Sequence, residues 1–269
     1  MKYSKDSSWL IPAMLPPRFG LEDTSDNRWE KLMQKIDQLN ASSPAGTQYK
    51  VFFFGRHGEG FHNVAEANYG TEEWDNYWSK QNGDGELIWG RKWHCLFNAF
   101  PDAELTQLGK DQAKLAHDVW KEELKFGIPV PRKLYCSPLT RAIHTNAITF
   151  DSIIPGPHRT MIIENLREVN SVHTCDKRRT RTYIKQAFPG FDIEEGFTEE
   201  DDLWDPQVRE TYAEIDARVG GVLDMIFEKD QEQVISITAH GGVFGAVLRV
   251  TRQNKLILPI GGSCPYLTC

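Results

Sequence analysis

The sequence predicts an α/β fold: a three-layer α/β/α sandwich with a mainly parallel central sheet and an inserted lid. Three observations point to it. Short, continuous apolar runs recur along the chain, beginning with Val51-Phe52-Phe53-Phe54, and strands buried on both faces have this composition. Segments of helical period separate them, the alternation that goes with a parallel sheet. Finally, His57, Ser137 and His240 each follow the carboxyl end of such a run directly, the edge where open α/β sheets bind their ligands.

The elements follow in order. Trp29, Leu32, Met33, Ile36 and Leu39 recur at helical spacing within Asp26 to Leu39, and Asn40 to Gly46 breaks the pattern. Residues 1–48 therefore read as an N-terminal arm with one helix packed on the core, and residues 49–269 as the domain. Val51–Phe54 is the first strand. Thr106 opens a helix that runs to about Phe126, with Leu108, Leu115, Val119 and Trp120 on one face and Gly127 as its stop. Lys133–Cys136 is a second strand, and Ser137-Pro138 reads as a helix start with serine as cap and proline in the first turn. Met161–Ile163 is a third strand. Tyr212, Ile215, Val219, Leu223, Ile226 and Phe227 mark a long helix. Val234–Ala239 is a fourth strand that turns at His240-Gly241-Gly242 into another helix, and Leu256–Leu258 closes the set. Two stretches break the alternation, at about 64–104 and 164–210. They read as insertions over the strand ends. The first holds Trp74, Trp78, Trp89 and Trp93, expected to be buried within it. The second holds the basic run Lys177 to Arg181 and the acidic run Glu194 to Asp205.

With 40% hydrophobic and 26% charged residues, the chain has the composition of a soluble globular protein. Its net charge of -7 repels nucleic acid and anionic membrane surfaces, so neither is expected as a partner. The same field repels phosphate esters, so a site for one has to concentrate positive charge locally. Cys95, Cys136, Cys175, Cys264 and Cys269 are scattered, odd in number and without a C-x-x-C pair, and read as free thiols. The run Trp9-Leu10-Ile11 is cut by Pro12, Pro16 and Pro17, too short for a secretory signal, and no segment approaches the roughly 20 apolar residues that span a bilayer. A cytoplasmic location is expected, with the nucleus left open; oligomeric state has no signal.

Chemistry concentrates in four segments. Phe54-Gly55-Arg56-His57-Gly58-Glu59 puts a histidine and an arginine at a strand end, and Asn63 follows six residues after His57. A neutral imidazole can attack phosphorus, and a guanidinium presents paired donors that match phosphate oxygens. Leu105-Thr106-Gln107-Leu108-Gly109-Lys110-Asp111-Gln112-Ala113 opens a helix. Ser137-Pro138-Leu139-Thr140-Arg141-Ala142-Ile143-His144-Thr145 brings Arg141 to the next strand end. Thr238-Ala239-His240-Gly241-Gly242 brings a second histidine.

In this order and spacing the four segments resemble the histidine phosphatase superfamily, which includes the cofactor-dependent phosphoglycerate mutases. The continuation Val172-His173-Thr174-Cys175-Asp176-Lys177-Arg178 is similar to a fungal and plant phosphomutase-like subgroup. The resemblance implies a phosphomonoesterase that acts on a small phosphorylated metabolite through a phosphohistidine on His57. Arg56, Asn63, Arg141 and His240 would hold the phosphoryl group, with no metal and no cofactor. It also implies a carboxylic acid in Leu166-Arg167-Glu168-Val169 as proton donor. Glu168 is the choice, and Glu164 the alternative. A phosphomutase would use the same residues, and an inactive interaction module is the third reading. The Tyr-Gly pair that mutases carry after the acid is missing here, which argues against mutation of 3-phosphoglycerate. Lys177, Arg178, Arg179 and Arg181 either meet a second anionic group on the substrate or pair with the acidic run. His173 and Cys175 are close enough in sequence to suggest a metal site, but read more simply as structural.

Overall fold

The computed structural model describes residues 15–83, 87–88, 91–92, 101–154, 159–254 and 258–268. Among the described residues there are eight α-helices and a six-stranded sheet. The strands are β1 (Lys50–Arg56), β4 (Lys133–Cys136), β5 (Thr160–Ile162), β6 (Phe191–Ile193), β7 (Val234–Ala239) and β8 (Ser263–Thr268), in the order β6-β5-β4-β7-β1-β8. β2 (Leu87–Ile88) and β3 (Arg91–Lys92) form a separate antiparallel pair. The five strands from β6 to β1 are mutually parallel, and β8 runs antiparallel along β1. The predicted α/β sandwich is thus the observed fold.

The all-apolar run of β1 is explained by burial on both faces. Phe52 and Phe54 point to a core shared with α7 (Tyr212–Lys229) and α8 (Gly241–Val250). Val51 and Phe53 point to the opposite core, with Trp29 of α1 (Arg28–Ser42) and Trp120 of α4 (Gln107–Leu124). Phe53 packs on Trp120 with ring centroids 4.8 Å apart. Helix α1 is tied down by polar contacts too: Arg28 Nε and Trp29 Nε1 both donate to Glu123 Oε2 of α4, at 2.9 and 2.6 Å. A charge buried this deeply is tolerated because it is paired and hydrogen-bonded.

Several expectations shift. Thr106 is the N-cap of α4, its hydroxyl accepting from Gly109 N at 3.1 Å, and Gly127 (φ 75°) turns the chain just beyond the helix. Ser137-Pro138 does not start a helix. Helix α5 (Thr140–Thr149) begins two residues later, because the cap comes from elsewhere: the Asp102 carboxylate accepts from Thr140 N at 2.9 Å and from its hydroxyl at 2.6 Å. The stretch 164–210 reaches into the sheet, since β6 is its parallel edge. The expected closing run Leu256–Leu258 falls largely outside the described residues, and β8 occupies the edge beside β1 instead. Trp74 is buried, Trp78 stacks on Tyr69 at 4.3 Å, and Trp89 and Trp93 lie outside the described residues.

Candidate functional site

His57, Ser137 and His240 meet at the carboxyl edge of β1, β4 and β7. Strand pairing puts them there: Arg56 lies opposite Ala239, and Cys136 opposite Thr238, so His57 lands beside His240 and Ser137 one residue before it. The main chain of the His57 loop is held by several elements at once. His57 N donates to Ala239 O, and Gly261 N donates to His57 O. Gly58 N donates to Thr145 Oγ1 of α5 at 3.0 Å, and Glu59 N to Gln112 Oε1 of α4 at 2.7 Å. Gly58 and Gly109 are where the loop and α4 cross backbone to backbone: a Cβ on Gly58 would stand 2.2 Å from Gly109 O, and one on Gly109 would stand 2.1 Å from Glu59 O. Gly58 thus serves helix packing, and the Thr106-x-x-Gly109-x-x-Gln112 pattern becomes the scaffold of the loop.

His57 is 1% exposed, and its Nδ1 lies 2.7 Å from Gly58 O. A carbonyl only accepts, so Nδ1 carries the proton and Nε2 keeps its lone pair. Burial holds the ring's pKa well below the ordinary imidazole range, helped by the Arg141 and Arg56 cations. His240 is 5.0 Å from His57 between ring centroids. Its Nε2 is 2.7 Å from Ser137 Oγ, which also accepts from Leu139 N. With the hydroxyl donating to Nε2, the imidazole proton sits on Nδ1, which is buried without a protein partner. Burial, then Arg141, depresses His240 as it does His57.

Arg141 is fully buried. It donates from Nη1 to Cys175 O at 2.7 Å and from Nη2 to Asp176 Oδ1 at 2.9 Å, while Nε has no partner. Arg56 donates from Nη1 to Leu258 O, and its Nε is likewise unpartnered. Both guanidinium groups feel the Glu168 carboxylate. Glu168 Oε1 accepts from Gly242 N at 3.0 Å, at the start of α8, and from Val169 N at 2.9 Å. Glu164 is engaged differently, accepting from Arg178 Nε at 2.7 Å and Arg167 Nη1 at 3.2 Å in an ion-pair network that includes Asp201. Asn63 caps its own helix, α2 (Phe61–Tyr69): its Oδ1 accepts from Gly60 N at 3.0 Å, which leaves its amide N–H groups over.

Of the predicted residues, the structure brings together Arg56, His57, Arg141, Glu168 and His240. It adds His62, whose ring lies 5.5 Å from His57, and Asp176, which holds Arg141. Three residues of the basic run are engaged by the fold, and Arg181 is exposed. Arg178 donates to Thr198 O and Glu200 O and lies over Phe197. Lys177 lies over Trp204, and Arg179 lies 3.4 Å from Glu104. His173, Cys175 and Asp176 come within 4.8 Å of one another. That donor set does not suit a cation: Asp176 is already bonded to Arg141 and 3.3 Å from Arg209, and burial pushes the Cys175 thiol well up, away from the thiolate a metal needs. Cys136 and Cys175 are buried free thiols. Among the described residues no helix is long and apolar enough to cross a membrane.

Comparison with known proteins identifies the family. The model of the histidine phosphatase superfamily (branch 1) matches residues 85–256, a stretch that contains Arg141, Glu168 and His240. A probable phosphoglycerate mutase of Arthroderma benhamiae is 43% identical over 242 residues, 89% of this chain and 69% of that protein. Phosphomutase-like protein 3 of Candida albicans is 31% identical over 268 residues, covering 99% and 79%. A probable phosphoglycerate mutase of Saccharomyces cerevisiae is 32% identical over 250 residues, covering 85% and 80%.

Proposed function

The chain belongs to the histidine phosphatase superfamily, and from that premise we propose that it hydrolyses a small phosphomonoester through a phosphohistidine on His57. One observation carries the reading: His57 is a neutral imidazole with its proton committed to Gly58 O and Nε2 free, beside two guanidinium groups.

On this reading Nε2 attacks phosphorus, the P–N bond forms and the P–O ester bond breaks. The leaving alkoxide takes a proton from Glu168, which enters the cycle as the acid. The Nδ1–H bond to Gly58 O disperses the positive charge that the ring gains. Arg56, Arg141, Asn63 and His240 spread the charge of the phosphoryl oxygens, the larger part of catalysis in phosphoryl transfer. Glu168, now a carboxylate, draws a proton from water as the water oxygen attacks phosphorus. The P–N bond breaks, and His57 and inorganic phosphate are restored. Glu168 is preferred to Glu164 for its position, since it accepts from Gly242 N two residues after His240, whereas Glu164 is bonded to Arg167 and Arg178.

The names of the relatives favour a second reading, a phosphomutase in which the phosphoryl group returns to substrate instead of water. One experiment separates the two. The protein is given a panel of phosphorylated metabolites, with free phosphate and isomeric esters both measured and an acid-labile phosphoenzyme trapped. His57→Ala should lose turnover and the trapped species together. A phosphoenzyme that persists in His57→Ala refutes the nucleophile.

A further inference from the structure

Four residues in and around the His57 cluster each hold a buried side-chain nitrogen without a partner: Arg56 Nε, Arg141 Nε, His240 Nδ1 and His62 Nδ1. Three belong to groups with a role in the reaction proposed above. His62 has none. It sits in the first turn of α2, five residues after His57, and is 8% exposed. Its ring lies against His57 and makes no hydrogen bond of its own. Gly60 is what admits it: a Cβ there would stand 2.6 Å from His62 Nδ1 and 2.7 Å from Cε1. A buried polar group left unsatisfied is unfavourable, and phenylalanine would fill similar space without that penalty. The surroundings are cationic as well. After burial, Arg141, His57 and Arg56 are what hold the ring neutral. An imidazole set at a helix N-terminus, among two guanidinium groups and two other imidazoles, is matched by one kind of occupant, a compact anion rich in acceptor oxygens.

We propose that His62 is a third imidazole of the phosphoryl site and donates a hydrogen bond to a non-bridging oxygen of the bound phosphoryl group. The proposal rests on the phosphatase reading for the identity of the anion. It adds a binding residue that neither the Arg-His-Gly segment nor Asn63 supplies. Neutral imidazole always carries one N–H, so the donor is available at neutral pH without further protonation. His62 touches the transferred group and not the leaving group, so its loss should weaken every phosphate monoester alike.

The test uses the full chain with inorganic phosphate and orthovanadate as probes. His62→Phe keeps the bulk and removes the donor. His62→Gln keeps a donor at similar reach. Calorimetry should show binding to His62→Phe weakened about tenfold to a hundredfold, the range for a hydrogen bond to a charged group, with His62→Gln recovering most of it. Alkyl and aryl phosphates should lose kcat/KM by the same factor. If His62→Phe unfolds at the wild-type temperature and binds both anions as tightly as wild type, the proposal is overturned. Should His62→Phe fail to fold, the wild-type ring decides. Its ¹⁵N resonances should move when phosphate is added, and resonances that stay put overturn the proposal. If wild type traps no phosphohistidine while His62→Phe still loses phosphate, the phosphatase reading fails and the anion site stands.

Discussion

Gly109→Ala should damage both stability and turnover, although local propensity predicts the reverse. In a helix interior alanine is favoured over glycine by about 1 kcal/mol. Here the new Cβ would meet Glu59 O at 2.1 Å and Glu59 N at 2.8 Å, both backbone atoms. Ordinary contact needs roughly 3.5 Å, so the loop and α4 must part by more than about 1 Å. Overpacking of this kind destabilises by about 1–3 kcal/mol. The separation also strains two bonds across the crossing, Thr106 N to Glu59 O and Glu59 N to Gln112 Oε1, each contributing about 1 kcal/mol. Set against the propensity gain, the net loss is about 2–4 kcal/mol, or about 5–15 °C in Tm for a chain of this size. A shift of about 1 Å in the loop that carries His57 should lower kcat/KM about 100-fold. The control is Gly221→Ala in α7, where a Cβ meets nothing within 4 Å and the propensity gain of up to about 1 kcal/mol should appear alone. Thermal unfolding and ester hydrolysis measure both variants. A Gly109→Ala protein as stable and active as wild type refutes the crossing.

Glu168→Gln should slow hydrolysis of an alkyl phosphate about 10²–10⁴-fold more than that of p-nitrophenyl phosphate, whose leaving group departs without a proton. Glu164→Gln should treat the two substrates alike, and a selective loss in Glu164→Gln instead would transfer the acid role. Asp176→Asn breaks a buried pair with Arg141 and should lower stability by about 3 kcal/mol while weakening vanadate binding; denaturant unfolding and calorimetry check both, and an unchanged midpoint contradicts the pairing. Stability should fall as pH drops below about 6.5. His57, His62 and His240 are held neutral in the fold, so the unfolded chain binds up to three more protons there, a slope of up to about 4 kcal/mol per pH unit. Asp102, raised to about 6 chiefly by burial, opposes this with at most one proton, because the fold protonates it first. Urea midpoints that stay flat from pH 7 to 5 would show that the histidines are not held neutral.

Much of the fold was legible because it rests on periodicity and on buried strands. Val51–Phe54 is apolar throughout, Val234–Ala239 is so apart from Ser236 and Thr238, and both strands are buried. What escaped depends on long-range partners. β8 contains Pro265, which ordinarily argues against a strand, yet it pairs with β1 at the sheet edge where a proline is tolerated. β6 is three half-buried residues, too short to show a period. Ser137-Pro138 has the local signature of a helix start, but Asp102, 38 residues from Thr140, supplies the cap and frees Ser137 for His240. In the site, Arg56, His57, Arg141 and His240 were legible because each lies in a motif at a strand or helix end. Asp176 and His62 were not, since their meaning comes from what they touch. The local signal for His62 is its position five residues after His57 and two after Gly60.

Charge joins these pieces. A chain of net charge -7 has to draw an anion toward it. Within the basic run 177–181, Arg178 and Arg179 are bonded to acidic and carbonyl groups of the fold. The cations at the site itself are Arg56 and Arg141, which act on all three imidazoles. The same two cations work in a second way. Burial does most to keep protons off His57, His62 and His240, and Coulomb repulsion from the two cations adds to it. A protonated His57 would have no lone pair to offer phosphorus, so on the proposed mechanism the groups that attract the substrate also keep the nucleophile competent. The two effects separate experimentally. Arg141→Met should weaken phosphate binding, and it should also raise the pKa of His57, moving the acid limb of the kcat/KM profile to higher pH. If binding weakens and the acid limb stays where it was, Arg141 attracts the anion without holding the nucleophile neutral, and burial alone must do so.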